Sequence, residues 1–241
     1  MTTTMSRVDS ATRHAGEGPP KLDRDELQAV QHRTLRSPRM AYSLVAKLVF
    51  RPVDLLYGKQ GSFTKFAMLE IIARVPYQAW ERVGYWAVHR YAGRSAVATR
   101  VTDRIVEARS DQDNEQWHLL IMQDLIQRQG IRQNWLLHKV IPWFIAFFYY
   151  HVSWIMFLVK PEWSYRLNAE FEDHAEHEYM AFVAAQPQLE RVADPGTYAA
   201  QYGRFASVAD LLRQIGHDEW VHKVSSLANI HDARVGSPRR H

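Results

Sequence analysis

Two short words, Glu115-x-x-His118 and Glu219-x-x-His222, each follow a lone glutamate, Glu70 and Glu172, at nearly equal distances: 115 − 70 = 45 residues and 219 − 172 = 47 residues. The chain therefore reads as one helix pair used twice. On an α-helix the spacing i, i+3 puts a carboxylate and an imidazole on one face, where a single metal ion can take both. Four carboxylates and two imidazoles can bind two metals, and two helices giving one Glu each with two giving Glu-x-x-His is a known ligand plan of four-helix bundles.

With 12 histidines in the chain, either word alone is a weak signal, and any one of these glutamates could be a helix-end charge or half of a buried ion pair. Context strengthens them. Glu115 lies on the stripe Val101, Ile105, Ala108, Leu119, Met122, Ile126, and Glu219 on Val208, Leu211, Leu212, Ile215. Glu70 lies among Phe63, Phe66, Ala67, Ala73 and Tyr77, and Glu172 among Tyr165, Ala169, Ala175 and Tyr179. All four are polar intrusions at core-facing positions. A buried unpaired carboxylate costs several kcal/mol or shifts its pKa until it is neutral, and bound cations offset that cost directly.

The chain has no cysteine, which excludes disulfides, iron–sulfur clusters, thiolate zinc sites and thiol regulation. Metal ligands must then be oxygen and nitrogen, a set that suits iron or manganese. The formal charge is only +4, but Arg33, Arg36, Arg39, Lys47, Arg51, Lys59 and Lys65 crowd one region, as suits an anionic lipid surface or nucleic acid. No nucleic-acid motif accompanies them, so no nucleic-acid partner is expected.

Residues 1–37 carry Gly-Glu-Gly-Pro-Pro and show no apolar period, which predicts a disordered polar arm. The arm has no apolar core of a signal peptide, and its acidic residues argue against a transit peptide. One helical domain is expected over 38–230, with a flexible tail at 231–241. Helices are predicted at about 39–57, 62–92, 98–129, 133–160, 162–186 and 206–230, with a Pro- and Gly-bearing connection between the last two. Pro52 should break or kink the first helix and Pro76 should kink the second just past Glu70.

Val140 to Val159 is a run of 20 residues without Asp, Glu, Lys or Arg, bracketed by Lys139 and Lys160, long enough to cross a bilayer. The flanking helices carry the ligand words and many charges, including Arg104, Asp111, Asp113, Glu170 and Asp173, so they cannot be its lipid-embedded partners. The long apolar helix is instead expected to run along the bundle, with Trp143, Phe147, Tyr150 and Trp154 facing lipid. The segment 39–57, with Leu44, Val45, Leu48 and Val49 opposite Lys47 and Arg51, reads as an interfacial helix. The fold expected is all-α: a ferritin-like di-iron four-helix bundle with additional membrane-interfacial helices, monotopic on one leaflet.

Four segments resemble, in order, the ligand motifs of the alternative oxidases: Leu69-Glu70-Ile71-Ile72-Ala73-Arg74-Val75-Pro76-Tyr77, Asn114-Glu115-Gln116-Trp117-His118-Leu119-Leu120, Phe171-Glu172-Asp173-His174-Ala175 and Asp218-Glu219-Trp220-Val221-His222. The first is especially similar to the plastid terminal oxidase branch. The resemblance runs from about residue 62 to 225. It implies a quinol oxidase that reduces O₂ to water at a non-haem centre of two iron ions, without proton pumping, at a membrane surface. It makes Glu70, Glu115, His118, Glu172, Glu219 and His222 the iron ligands, gives Tyr179 the place of a tyrosine needed for activity, and puts Asn114 and Asp218 behind the ligands. Quinol and O₂ are the implied substrates. A homodimer, and a location on the cytoplasmic face of a bacterial inner membrane, are expected on the same footing.

Departures from the family pattern fall near its quinol pocket: Tyr85 stands for a histidine, Lys65 for an arginine and Glu178 for a threonine. Glu176, one turn beyond Glu172, is an extra acid, read first as a surface charge, next as a base behind the ligands, and last as an alternative ligand. Two other functions fit the same ligand words. One is a membrane-associated di-iron hydroxylase acting on a quinone or lipid, and the other is a non-catalytic, ferritin-like metal-binding bundle.

Overall fold

Asp23, Ser43, Ser62 and Ser207 each cap the helix that follows them, and three further helices open with a proline in their first turn. A computed structural model describes residues 18–231, and every regular element among them is helical. They are α1 (Arg24–Arg36), α2 (Leu44–Tyr57), α3 (Phe63–Ala73), α4 (Val75–Tyr91), α5 (Ser95–Arg128), α6 (Ile141–Val159), α7 (Pro161–Ala185) and α8 (Val208–His231). A π-helical turn, Leu136–Val140, leads into α6, and a 3₁₀ turn, Pro187–Arg191, follows α7. Residues 1–17 of the expected arm and 232–241 of the expected tail lie outside the described residues.

The remainder of the expected arm is folded, which corrects the reading of 1–37 as disordered. Asp23 caps α1 reciprocally: its carboxylate accepts from Glu26 N at 2.9 Å, while Glu26 Oε2 accepts from Asp23 N at 3.0 Å. Leu27, Val30, Gln31 and Thr34 form the buried stripe. Half of it is polar, so a search for apolar periodicity passes over it. Burial is possible because Gln31 Nε2 donates to Met180 O at 3.0 Å, and Thr34 donates to Glu176.

The predicted helix at 62–92 is divided at Arg74, with Pro76 in the first turn of α4, where its missing N–H costs nothing. Glu70 therefore sits in the last turn of α3. Helix α2, by contrast, continues through Pro52. The hydrogen bond that Pro52 cannot make would run to Leu48, which is exposed. At the end of α5, Gly130 adopts φ 63°, and Ile131 N bonds Ile126 O while Gly130 N bonds Gln127 O, both at 3.1 Å. This left-handed stop turns the chain after a 34-residue helix.

Helices α3 and α4 lie along α5, α7 packs most extensively on α8, and α6 crosses beside α4 and α7. Helix α7 is enclosed on nearly every side. Its acids survive burial because the chain around residues 34–43 wraps them: Glu170 accepts from Ser43 N (2.9 Å) and Oγ (2.6 Å), and Asp173 accepts from Met40 N and Tyr42 Oη, both at 2.9 Å. Phe66, Met122, Leu212 and Ile215 are fully buried in the main core, each stabilising the fold by about 1.5–3 kcal/mol.

The stretch Leu136–Val159 is long and apolar enough to cross a membrane, yet most of its surface is uncovered. Its open face carries Trp143, Phe144, Phe147, Phe148, Val152 and Ile155. Tyr150 packs against the main core and Trp154 sits edge-on to Trp86, so the face is rotated from the expected one. Leu44, Leu48 and Leu55 of α2 are 73%, 64% and 85% exposed.

Candidate metal centre

Each half of the bundle delivers one glutamate and one Glu-x-x-His word to a common interior. Glu70 comes from α3, Glu115 and His118 from α5, Glu172 from α7, and Glu219 and His222 from α8; none is more than 1% exposed. Their ligand atoms form two groups, each within 4.8 Å: Glu70, Glu115, His118 and Glu219, and Glu115, Glu172, Glu219 and His222. Glu115 and Glu219 belong to both. His118 Nδ1 lies 3.1 Å from Glu219 Oε1, 3.5 Å from Glu70 Oε2 and 3.6 Å from Glu115 Oε2. His222 Nδ1 lies 2.7 Å from Glu115 Oε1 and 4.0 Å from Glu219 Oε2.

Both oxygens of Glu115 and of Glu219, Oε2 of Glu70 and of Glu172, and Nδ1 of His118 are buried and make no hydrogen bond. Buried polar atoms are normally paired, so a cluster of orphaned oxygens and imidazole nitrogen is what cations would satisfy. Electrostatics agree. Burial pushes the carboxyls of Glu115 and Glu219 well above the usual range, and raises Glu172 to about 7. Burial opposes a charge on His118, yet the oxygens of Tyr202, Asp218, Glu115 and Glu219 drive its pKa well above the ordinary value. The interior calls for positive charge, and four glutamates balance two divalent ions.

The groups behind the imidazoles fix which nitrogen faces inward. Asp218 Oδ2 lies 3.2 Å from His118 Nε2 and accepts from Tyr202 Oη at 2.7 Å and Asn114 Nδ2 at 3.2 Å. Nε2 of His118 is thereby engaged with Asp218, which leaves Nδ1 as the nitrogen facing the carboxylates, where its lone pair would be free for a cation that displaced the proton. Asp111 Oδ1 stands 3.6 Å from His222 Nε2 in the corresponding position. Sequence reading named Asn114 and Asp218 but gave no such role to Asp111 or Tyr202. Asp111 is one helical turn before Glu115, which was the available signal. Tyr202 comes from the irregular connection, where no periodicity marks it.

Two tyrosines touch the glutamates directly. Tyr179, fully buried, donates a hydrogen bond to Glu70 and stacks on Phe66 with centroids 4.0 Å apart. Tyr77 donates to Glu172 Oε1 at 2.8 Å, and Asn168 Nδ2 braces both groups at 3.0 and 2.9 Å. Burial, followed by the nearby glutamates, raises both phenols well above their ordinary pKa. From sequence Tyr77 stands on a core stripe and closes the first motif, with no signal of its contact with Glu172.

Two of the departures meet each other. Lys65, fully buried, donates to Asp54 at 2.9 Å and to Glu178 at 3.1 Å, and Arg39 holds the other oxygen of Glu178 at 2.9 Å. Tyr85 is exposed, donating to Glu81. Glu176 is not the surface charge first expected: it is 1% exposed and bonded to Thr34 and Lys223. Glu176, Asp173 and His177 also lie within metal-binding reach of one another, but Lys223 already pairs both acids.

A helical bundle in which two groups of potential metal ligands share a pair of glutamates has the arrangement of the dinuclear carboxylate class. The chain belongs to the alternative oxidase family, whose model matches residues 21–229. It is also similar to ubiquinol oxidase 4, chloroplastic/chromoplastic, of Arabidopsis thaliana, at 28% identity over 144 residues, which cover 57% of this chain and 36% of the relative. The matched region thus spans about a third of that relative's length, on the plastid side of the family suggested by residues 69–77.

Proposed function

We propose that this protein is a quinol:oxygen oxidoreductase that reduces O₂ to water at two iron ions held by Glu70, Glu115, His118, Glu172, Glu219 and His222. The observation that carries this is the pair of buried ligand groups sharing Glu115 and Glu219, one carboxylate from each Glu-x-x-His word. Iron bound there supplies O₂ binding and electron transfer. Asp218 keeps the His118 Nδ1 lone pair turned inward, and Asp111 stands where it can do the same for His222. Tyr179 holds a proton at its hydroxyl against Glu70, positioned to exchange it with a group at the centre.

An open pocket of about 380 Å³, lined by Phe63, Ile131, Phe182 and Leu189 on one hand and Gln129, Gln186 and Gln188 on the other, is consistent with entry of a ring that carries polar substituents. Phe182 packs on Phe66 at 5.3 Å, and Phe66 stacks on Tyr179, so a ladder of rings leads from that cavity to Glu70. Attachment to one leaflet is supported by the exposed apolar faces of α2 and α6, with Lys47 and Arg51 also exposed on α2. Each such cation near anionic lipid contributes about 1 kcal/mol.

Turnover of a quinol under ¹⁸O₂ tests the reading. Label recovered in water, with the quinone unlabelled, is the expected result. Label in the quinone or a lipid would make the protein a hydroxylase, and failure to oxidise quinol would leave a metal-binding bundle.

A further inference from the structure

The segment just before α1 reaches into the polar shell behind one of the two ligand groups. Lys21 Nζ lies 3.2 Å from Asp218 Oδ2 and 3.6 Å from the centroid of the Tyr202 ring. Its backbone is tied down on both sides: Leu22 N donates to Gln214 Oε1 at 3.0 Å, and Gln214 Nε2 donates to Pro20 O at 3.1 Å. The same Gln214 amide donates to Asp218 Oδ1 at 2.7 Å. Pro19 is buried, and Asp23 immediately caps α1, which packs on α8. The strap is therefore anchored rather than draped.

Asp218 is completely buried, and the donors that converge on it are Gln214, Tyr202, Asn114, His118 and Lys21. Among these Lys21 is the one group with a permanent positive charge, and it shares the oxygen that faces His118 Nε2. A buried carboxylate held by a cation as well as neutral donors has one position, not several, because charge-assisted hydrogen bonds are stronger than neutral ones. The tolerance for error is small at a metal ligand, where partners behind the imidazole alter metal affinity by about 10–100-fold.

We propose that Lys21 is a positioning residue for the metal centre: through Asp218 it fixes the His118 ring, and so sets how firmly one of the two metal positions keeps its ion. The inference rests on the reading of the six residues as iron ligands. It is asymmetric: Lys21 reaches Asp218 behind His118, whereas the carboxylate behind His222 is Asp111. The loss of Lys21 therefore acts on one ion of the pair.

The test is release of iron from anaerobically loaded ferrous protein to an excess of a ferrous chelator, comparing wild type, Lys21→Met and Lys21→Arg. Wild type should release both irons slowly. Lys21→Met should release one iron about tenfold faster or more while the other keeps the wild-type rate, and its ⁵⁷Fe Mössbauer spectrum should change for one site only. Lys21→Arg should restore slow release. Lys21→Gln substitutes for Lys21→Met if the latter does not fold. Wild-type rates for both irons in the neutral variants, or equal acceleration of both, would overturn the role of Lys21. A wild-type protein that takes up no iron would instead remove the ligand assignment on which the role depends.

Discussion

His174 provides a pH-dependent test of the packing around α7. Its ring stacks on Phe50 with centroids 4.1 Å apart and planes 14° from parallel. Arg39 donates to Nδ1 at 3.2 Å, which places the proton on Nε2, a buried atom without a hydrogen-bond partner. Burial, opposed by Glu178 and reinforced by Arg39 and Lys65, lowers the imidazole pKa from 6.5 to about 4. In the unfolded chain the ring takes up a proton below about pH 6.5, whereas in the fold it does so only near pH 4. The unfolded state binds more protons between these values, so the contribution is whole above pH 6.5 and is lost as pH falls toward 4. Between pH 7.5 and pH 5 the linkage amounts to about 2 kcal/mol, or roughly 4–8 °C in Tm for a chain of this size. The assay is thermal unfolding of wild type and His174→Gln at both pH values in one detergent. Protonation of the metal ligands is common to both proteins and cancels in the comparison. Wild type should lose about 2 kcal/mol more than the variant on acidification. Equal losses would show that His174 is not buried neutral.

Glu115→Ala and His118→Ala should each lower bound iron below two per chain and abolish quinol oxidation, because Glu115 offers a ligand atom to both groups and His118 the imidazole of one. Full iron occupancy in either variant would end the ligand assignment. Tyr179→Phe should keep both irons, since only a hydroxyl is removed from a stacked ring, and should cut turnover by about tenfold or more; wild-type rates would reduce Tyr179 to core packing. Replacing Leu44, Leu48 and Leu55 together by Ser should release much of the protein from membranes with the iron spectrum unchanged. Retention, together with cleavage at only one of two protease sites engineered near Gln129 and Trp163 in sealed vesicles, would show that α6 spans the bilayer.

The six inward-facing residues were legible because helix periodicity and a repeated spacing are local signals. Glu70, Glu115, Glu172 and Glu219 interrupt apolar stripes, and nothing more than the 3.6-residue period is needed to see that they share an interior. Helix α1 was not legible because Gln31 and Thr34 are buried by virtue of partners about 140 or more residues away, Met180, Arg213 and Glu176. Lys21 and Tyr202 have the same character: each lies in an irregular segment, and each acquires its position through Asp218. Glu176 reads as a solvated charge for a related reason, since its partners Thr34 and Lys223 are 142 and 47 residues away. The rotation of the exposed face of α6, which draws Tyr150 and Trp154 inward, follows from contacts with the core and with Trp86 that composition cannot show.

The central claim is that two iron ions sit in the paired groups and pass quinol electrons to O₂. Iron analysis of anaerobically reconstituted protein, followed by quinol-driven O₂ uptake on the same sample, tests it most directly. The account predicts two irons per chain, two quinols oxidised for each O₂ consumed, and no accumulation of peroxide. One iron or none at saturation, or full loading without quinol-dependent uptake, would contradict it.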